Sequence, residues 1–149
     1  MAEILFYHLT ESKLEDALPP LLEKSIEREW TVVVQTGTEE RRDALDQHLW
    51  TYSEESFLAH ACDFEEAIEH TPIVLTTAQH NPNKATVRFL VDGAVPGALH
   101  DYARVIFMFD GHDEAQVEDA RAQWKALKPQ GHELTYWQQN ADRRWEKKA

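Results

Sequence analysis

Arg121, Lys125 and Lys128 stand at i, i+4 and i+7, a spacing that on an α-helix lines three cations along one stripe. Such a stripe suits a carboxylate: the planar guanidinium of Arg121 can grip both oxygens while the lysines add point charges. Trp124, at the border between that stripe and the apolar face, can wall a pocket for a neighbouring apolar side chain. An ordinary helix has the same pattern, because the early acids Glu114, Glu118 and Asp119 and the later bases complement the helix dipole. Spacing alone leaves both readings open.

Other residues have types that could do catalysis. His60 and Cys62, two apart, resemble a base and a thiol nucleophile, although a buried structural cysteine beside a surface histidine is the simpler reading. Asp110, His112 and Asp113 cluster after an apolar run, where catalytic or metal-binding groups often sit. A capping role for Asp113 explains part of that cluster, and Asp110-Gly111 reads as a turn. No H-x-x-x-H spacing suggests a metal, and no Walker A pattern occurs. The first strand-to-helix turn, residues 8–12, has no glycine and puts Glu11 where a phosphate would lie. The residues therefore favour a binding protein, with no cofactor and no metal. The competing class is a nucleotide-binding or hydrolytic enzyme on the same α/β fold.

These groups need a scaffold, and the 149 residues with 42% hydrophobic content suffice for one core. The expectation is a single domain over 1–149, with a charged C-terminal tail from about 140. Net charge is −12, unevenly spread. From Arg121 onward seven basic residues face three acidic ones, so a small basic sector sits on a strongly acidic body. That polarity disfavours direct nucleic-acid binding and suits capture of an acidic peptide, while an uneven scatter of charge without a function accounts for it equally well. The single cysteine excludes an intramolecular disulfide and fits a reducing compartment. The first residues do not read as a signal peptide, and no apolar run approaches a membrane span, so a cytoplasmic protein with no membrane contact is expected.

Residues 4–9 read as a first buried strand. Ser12 and Glu15 form an S-x-x-E capping box, and Pro19-Pro20 predict that the regular helix begins only about Pro19 and runs to Arg28. A strand over 31–36 precedes a helix capped by Thr38. An irregular connection from Trp50 to about Glu69, with a short helix over 63–68, comes next. Strands over 72–76 and 86–91, joined by the turn-forming residues 80–83, suggest an antiparallel hairpin. A strand over 105–109 follows, then a helix opened by Asp113 and Gln116 and reaching about Lys128, with Val117, Ala120, Trp124 and Leu127 facing the sheet. Residues 133–138 form the last strand, and Trp145 can dock the tail. The alternation implies an α/β fold with a mostly parallel sheet.

Read end to end, residues 6–9 (FYHL), 45–52 (LDQHLWTY) with Ser56-Phe57-Leu58, and 72–76 (PIVLT) resemble the DNA polymerase III chi subunit family. So do 90–93 (LVDG), 109–111 (FDG), 120–125 (ARAQWK), 134–139 (LTYWQQ) and 144–149 (RWEKKA). The resemblance implies a Rossmann-like three-layer fold without nucleotide chemistry. It also implies a non-catalytic accessory subunit of the polymerase holoenzyme. Such a subunit links the clamp loader to single-stranded DNA-binding protein by binding that protein's acidic, phenylalanine-ending tail. The family's A-R-x-x-aromatic-K pattern falls on Arg121, Trp124 and Lys125; Lys128 is added by helix geometry. In the family chi also pairs with a psi subunit. One departure is local: the family loop S-F-L-P-H-G here continues after Leu58 as Ala59, His60 and Ala61.

Overall fold

The structure, a computed structural model, describes residues 2–51, 60–65 and 68–149. Eight strands form one sheet: β1 (Glu3–Leu9), β2 (Val32–Gln35), β3 (His60–Cys62), β4 (Ile73–Thr76), β5 (Val87–Leu90), β6 (Arg104–Asp110), β7 (Glu133–Gln139) and β8 (Trp145–Lys147). Their order across the sheet is β3-β4-β2-β5-β6-β1-β7-β8. Every pairing is parallel except β7 with β8. Three helices, α1 (Leu14–Glu27), α2 (Glu39–Thr51) and α3 (Glu114–Leu127), complete a mixed α/β fold. No helix among the described residues is long and apolar enough to cross a membrane.

Strand alternation divides the core into two clusters. Leu5, Leu9, Ile106 and Met108 pack with Leu18 and Leu22 of α1 and Leu45 and Leu49 of α2. The intervening residues Ile4, Phe6, Val105 and Phe107 pack with Ala120 and Leu127 of α3.

The hairpin expected between residues 72–76 and 86–91 is absent. β4 and β5 both run parallel to β2, on opposite sides of it, so the ten residues between them cross over β2. A parallel crossover usually needs a helix to bury its return path. Here side chains organise it instead. Arg88 on β5 donates to the carbonyls of Ala78 (2.7 Å) and His80 (2.9 Å). Asn83, itself buried, donates to the carbonyls of Val32 (2.9 Å) and Thr71 (3.0 Å).

Helix α1 also departs from expectation, since it is continuous through both prolines and starts at Leu14. Pro19 deprives the Glu15 carbonyl of its i+4 donor, and His48 Nε2 of α2 donates to that oxygen at 2.6 Å in its place. The Ser12–Glu15 capping box does not form. Lys13 occupies the cap position without a side-chain bond, and Gln139 of β7 holds the turn by accepting from the Glu11 and Ser12 amides and donating to the Ser12 hydroxyl. Glu15 is paired with Arg41 instead.

Thr38 and Asp113 do cap their helices, through Arg41 N–H and through the Ala115 and Gln116 amides. Trp50 belongs to α2 and not to a loop. Of the helix expected over 63–68, the described part is a turn at Asp63 and Phe64, and Ile68 opens a 3-10 turn at Ile68–His70. Tyr52, Ser56, Phe57, Leu58 and Ala59, together with Glu66 and Ala67, lie outside the described residues. Trp145 places its ring 4.7 Å from that of Tyr7 as β8 pairs with β7.

Candidate functional site

The cap at Asp113 fixes how α3 leaves the sheet. Its carboxylate accepts two amides, while Gln116 Oε1 accepts from Asp110 N–H at 2.9 Å, tying the helix start to the end of β6. Ala120 and Leu127 are then buried against the sheet, with Val117 and Trp124 half-buried beside them, as the spacing predicts.

Trp124 rests on aromatic neighbours. Its ring lies 5.4 Å from Phe6 and 6.0 Å from Tyr136, edge to face in both cases. Phe6 and Tyr136 meet because β1 and β7 pair in parallel register, which sets Phe6 opposite Tyr136. The Tyr136 hydroxyl shares a 2.7 Å hydrogen bond with His8 Nδ1, and His8 stacks on Phe109 at 4.8 Å. Arg121, Lys125 and Lys128 are exposed beside this bed. Among the described residues none of the three takes part in an ion pair or a hydrogen bond from its side chain. By contrast, Arg41, Arg42 and Arg104 all have carboxylate partners. The bed of Phe6, His8 and Tyr136 was not legible in the sequence as part of a site. The only hint was the apolar alternation of Leu134 and Tyr136.

Arg121 makes itself felt within the bed. Burial lowers the His8 pKa from its usual 6.5, the Arg121 cation and then His112 push the same way, and Asp110 opposes them. Burial raises the Tyr136 pKa, with Arg121 opposing. A depressed histidine favours folding in its neutral form, so its contribution is present above 6.5 and is lost as pH falls through the folded value. An NMR titration should therefore find the His8 midpoint below 6.5 and should find it raised in Arg121→Ala. An unmoved midpoint would show that Arg121 does not bear on the bed.

A groove of about 290 Å³ lies on the other flank of α3, lined by Val95, Phe107, Phe109, Asp119 and Gln123 among others. Asp119 and Gln123 fall about 160–240° around the helix from Arg121 and Lys125. The groove is apolar with an acid at its rim, which is the wrong complement for a carboxylate ligand.

A larger crevice, about 510 Å³, opens where β1 leads into α1 and the adjacent β6 leads into α3. Nucleotides favour such positions in α/β sheets. Here the lining includes Glu11, Glu15, Asp92 and Asp110, with Arg41 spent between Glu15 and Asp92. The carboxylates repel phosphate. The cluster of Asp110, His112 and Asp113 is also structural: Asp110 accepts the His112 amide, His112 Nε2 donates to the Thr10 carbonyl at 2.8 Å, and Asp113 is the cap.

His60 and Cys62 do not form a nucleophilic pair. His60 is buried and not on the surface, its Nε2 held by Asp46, and burial pushes the Cys62 thiol up to about 12. A thiol that reluctant to ionise is a poor nucleophile at neutral pH.

The sequence profile described as "DNA polymerase III chi subunit, HolC" matches residues 1–135. The chain belongs to the DNA polymerase III chi subunit family. A relative named probable DNA polymerase III subunit chi, from Rickettsia prowazekii (strain Madrid E), is 29% identical over 91 residues. That match covers 61% of this chain, which spans 55%, about half, of the relative. Chi is an accessory and not a catalytic subunit, which gives the family a supporting role in DNA replication.

Proposed function

We propose that this chi-family chain is a non-catalytic, cytoplasmic tether with a Rossmann-like three-layer fold, residues 1–149 forming one domain whose charged tail begins at about 140. It links the clamp loader to single-stranded DNA-binding protein by holding that protein's acidic, phenylalanine-ending tail on α3. Arg121 takes the terminal carboxylate, Lys125 and Lys128 attract the acidic residues behind it, and Trp124 with Tyr136 walls the space for the phenyl ring. Attachment to the clamp loader runs through a psi subunit. Contact with nucleic acid is indirect, as suits a body that carries −12 overall. One observation carries the reading: on this acidic protein, three cations without carboxylate partners among the described residues share one flank of a helix with an aromatic bed.

Calorimetry with a tail peptide tests it. Binding should be weak, roughly micromolar, and weaker at higher salt, avidity coming from several tails per coated strand. Arg121→Ala and amidation of the terminal carboxylate should each lower affinity by at least about tenfold, on the order of the 1.5–3 kcal/mol of a charge-assisted hydrogen bond. Undiminished affinity in both would remove the assignment.

A further inference from the structure

We infer that Asp46, Cys62 and Glu65 form a binding site for a thiophilic divalent transition metal, with Zn²⁺ the ion whose chemistry they fit best. The three belong to separate segments, the middle of α2, the end of β3 and the turn after it. Even so, one ligand atom from each, the Cys62 Sγ and two carboxylate oxygens, lies within 4.8 Å of the others. Zn–S bonds of about 2.3 Å and Zn–O bonds of about 2.1 Å put tetrahedral ligands roughly 3.5 Å apart, so the three groups need to close by about an ångström at most around the ion. One thiolate with two carboxylates selects a borderline-soft ion over Mg²⁺ or Ca²⁺. Glu65 leaves the site open to solvent, which provides an entry path and a fourth position for water.

Three further observations separate this cluster from a cysteine that merely packs. The Cys62 side chain is 99% buried, yet its sulfur makes no hydrogen bond among the described residues and faces two carboxylates. His60 Nε2 lies 3.1 Å from the Asp46 backbone carbonyl and 3.1 Å from Asp46 Oδ1, so the buried imidazole holds that residue in place beside the sulfur. Glu65 Oε2 accepts from the Cys62 amide, which holds that carboxylate over the sulfur. The neighbouring charges leave the cluster anionic: Arg42 is the cation nearby, and Asp43 (3.1 Å) and Asp63 (3.6 Å) already engage it. A cation at that point relieves the repulsion between the two carboxylates. On binding, the S–H bond breaks, its proton passes to solvent and the S–metal bond forms with no change in oxidation state. Affinity should accordingly rise about tenfold per pH unit, one thiol proton being displaced.

The test uses the full chain with a non-coordinating phosphine reductant and Co²⁺ as the probe. One equivalent should bind with a thiolate-to-cobalt charge-transfer band in the near ultraviolet, and Zn²⁺ should abolish the band by displacement. Cys62 is the single cysteine, so no other residue can produce that signal. Asp46→Asn and His60→Gln, each checked for folding by circular dichroism, should weaken binding about 10–100-fold. The inference is overturned by saturation without the band, by one metal per two chains, or by unchanged affinity in both folded variants.

Discussion

Replacing Arg88 with methionine is expected to remove about 2–4 kcal/mol of stability, since buried Gln35 and Tyr102 each lose a donor at about 1–3 kcal/mol. That is a large share of the roughly 5–15 kcal/mol that holds a domain of this size together. Arg88 is 1% exposed on a central strand and makes five hydrogen bonds to four acceptors. Its Nε and Nη2 reach Gln35 Oε1 at 3.2 and 2.6 Å, Nη1 reaches the Tyr102 hydroxyl and the His80 carbonyl at 2.9 Å each, and Nη2 reaches the Ala78 carbonyl at 2.7 Å. No carboxylate among the described residues pairs with it, and burial lowers its pKa. Methionine replaces most of the stem, so cavity formation is the smaller effect. What disappears is a set of charged hydrogen bonds, and the cost that remains is that of buried Gln35 and Tyr102 left short of a donor. Water recovers part of this, because Ala78 and His80 are exposed. Lysine should not rescue it, since three donors on one nitrogen cannot span four dispersed acceptors. Urea denaturation measures the loss, and a change below about 1 kcal/mol would show that the crossover does not depend on this anchor.

Arg88 also explains where the fold was and was not legible. Six strands and all three helices announce themselves through apolar runs and 3.6-residue spacing, and Asp113 and Thr38 are local caps that a sequence can reveal. The errors arise where a distant partner decides. The path from β4 to β5 looks like a hairpin because it is short and turn-rich, until Arg88 and Asn83 are seen to anchor it across β2. Pro19 looks like a helix start until His48, 33 residues from Glu15, satisfies the Glu15 carbonyl that the proline leaves bare. Ser12 looks like a cap until Gln139, 127 residues away, takes over the turn. Strands β3 and β8, three residues each, are too short to show a pattern. At the candidate site the same division holds. The cations follow from helix spacing alone, whereas the bed beneath them exists because residues about 130 apart in sequence pair as β1 and β7.

The largest effect expected within that bed comes from Gly111→Ala. A Cβ there would stand 2.3 Å from His8 Nε2, 2.6 Å from His8 Cδ2 and 2.8 Å from the Leu9 carbonyl oxygen. Space and not backbone angle is what requires glycine, since Gly111 is absent from the positive-φ glycines. The imidazole has little room to retreat, being stacked on Phe109 and bonded to the Tyr136 hydroxyl. The Leu9 carbonyl is backbone and accepts the Gly111 amide at 2.7 Å, so relief must separate the ends of β1 and β6. Overpacking of this kind costs about 1–3 kcal/mol, and the backbone contact puts this case near the upper value. Displacing His8 also displaces Tyr136, the wall proposed for the phenyl ring, so tail-peptide affinity should fall several-fold although Gly111 lies outside the cationic stripe. A double-mutant cycle separates the clash from general loss of stability. If His8 is the obstacle, His8→Ala removes the 2.3 Å contact, and the double variant loses less than the sum of the single variants by at least about 1 kcal/mol. Strict additivity in denaturation experiments would instead assign the cost to the Leu9 carbonyl and uncouple Gly111 from the bed that carries the proposed site.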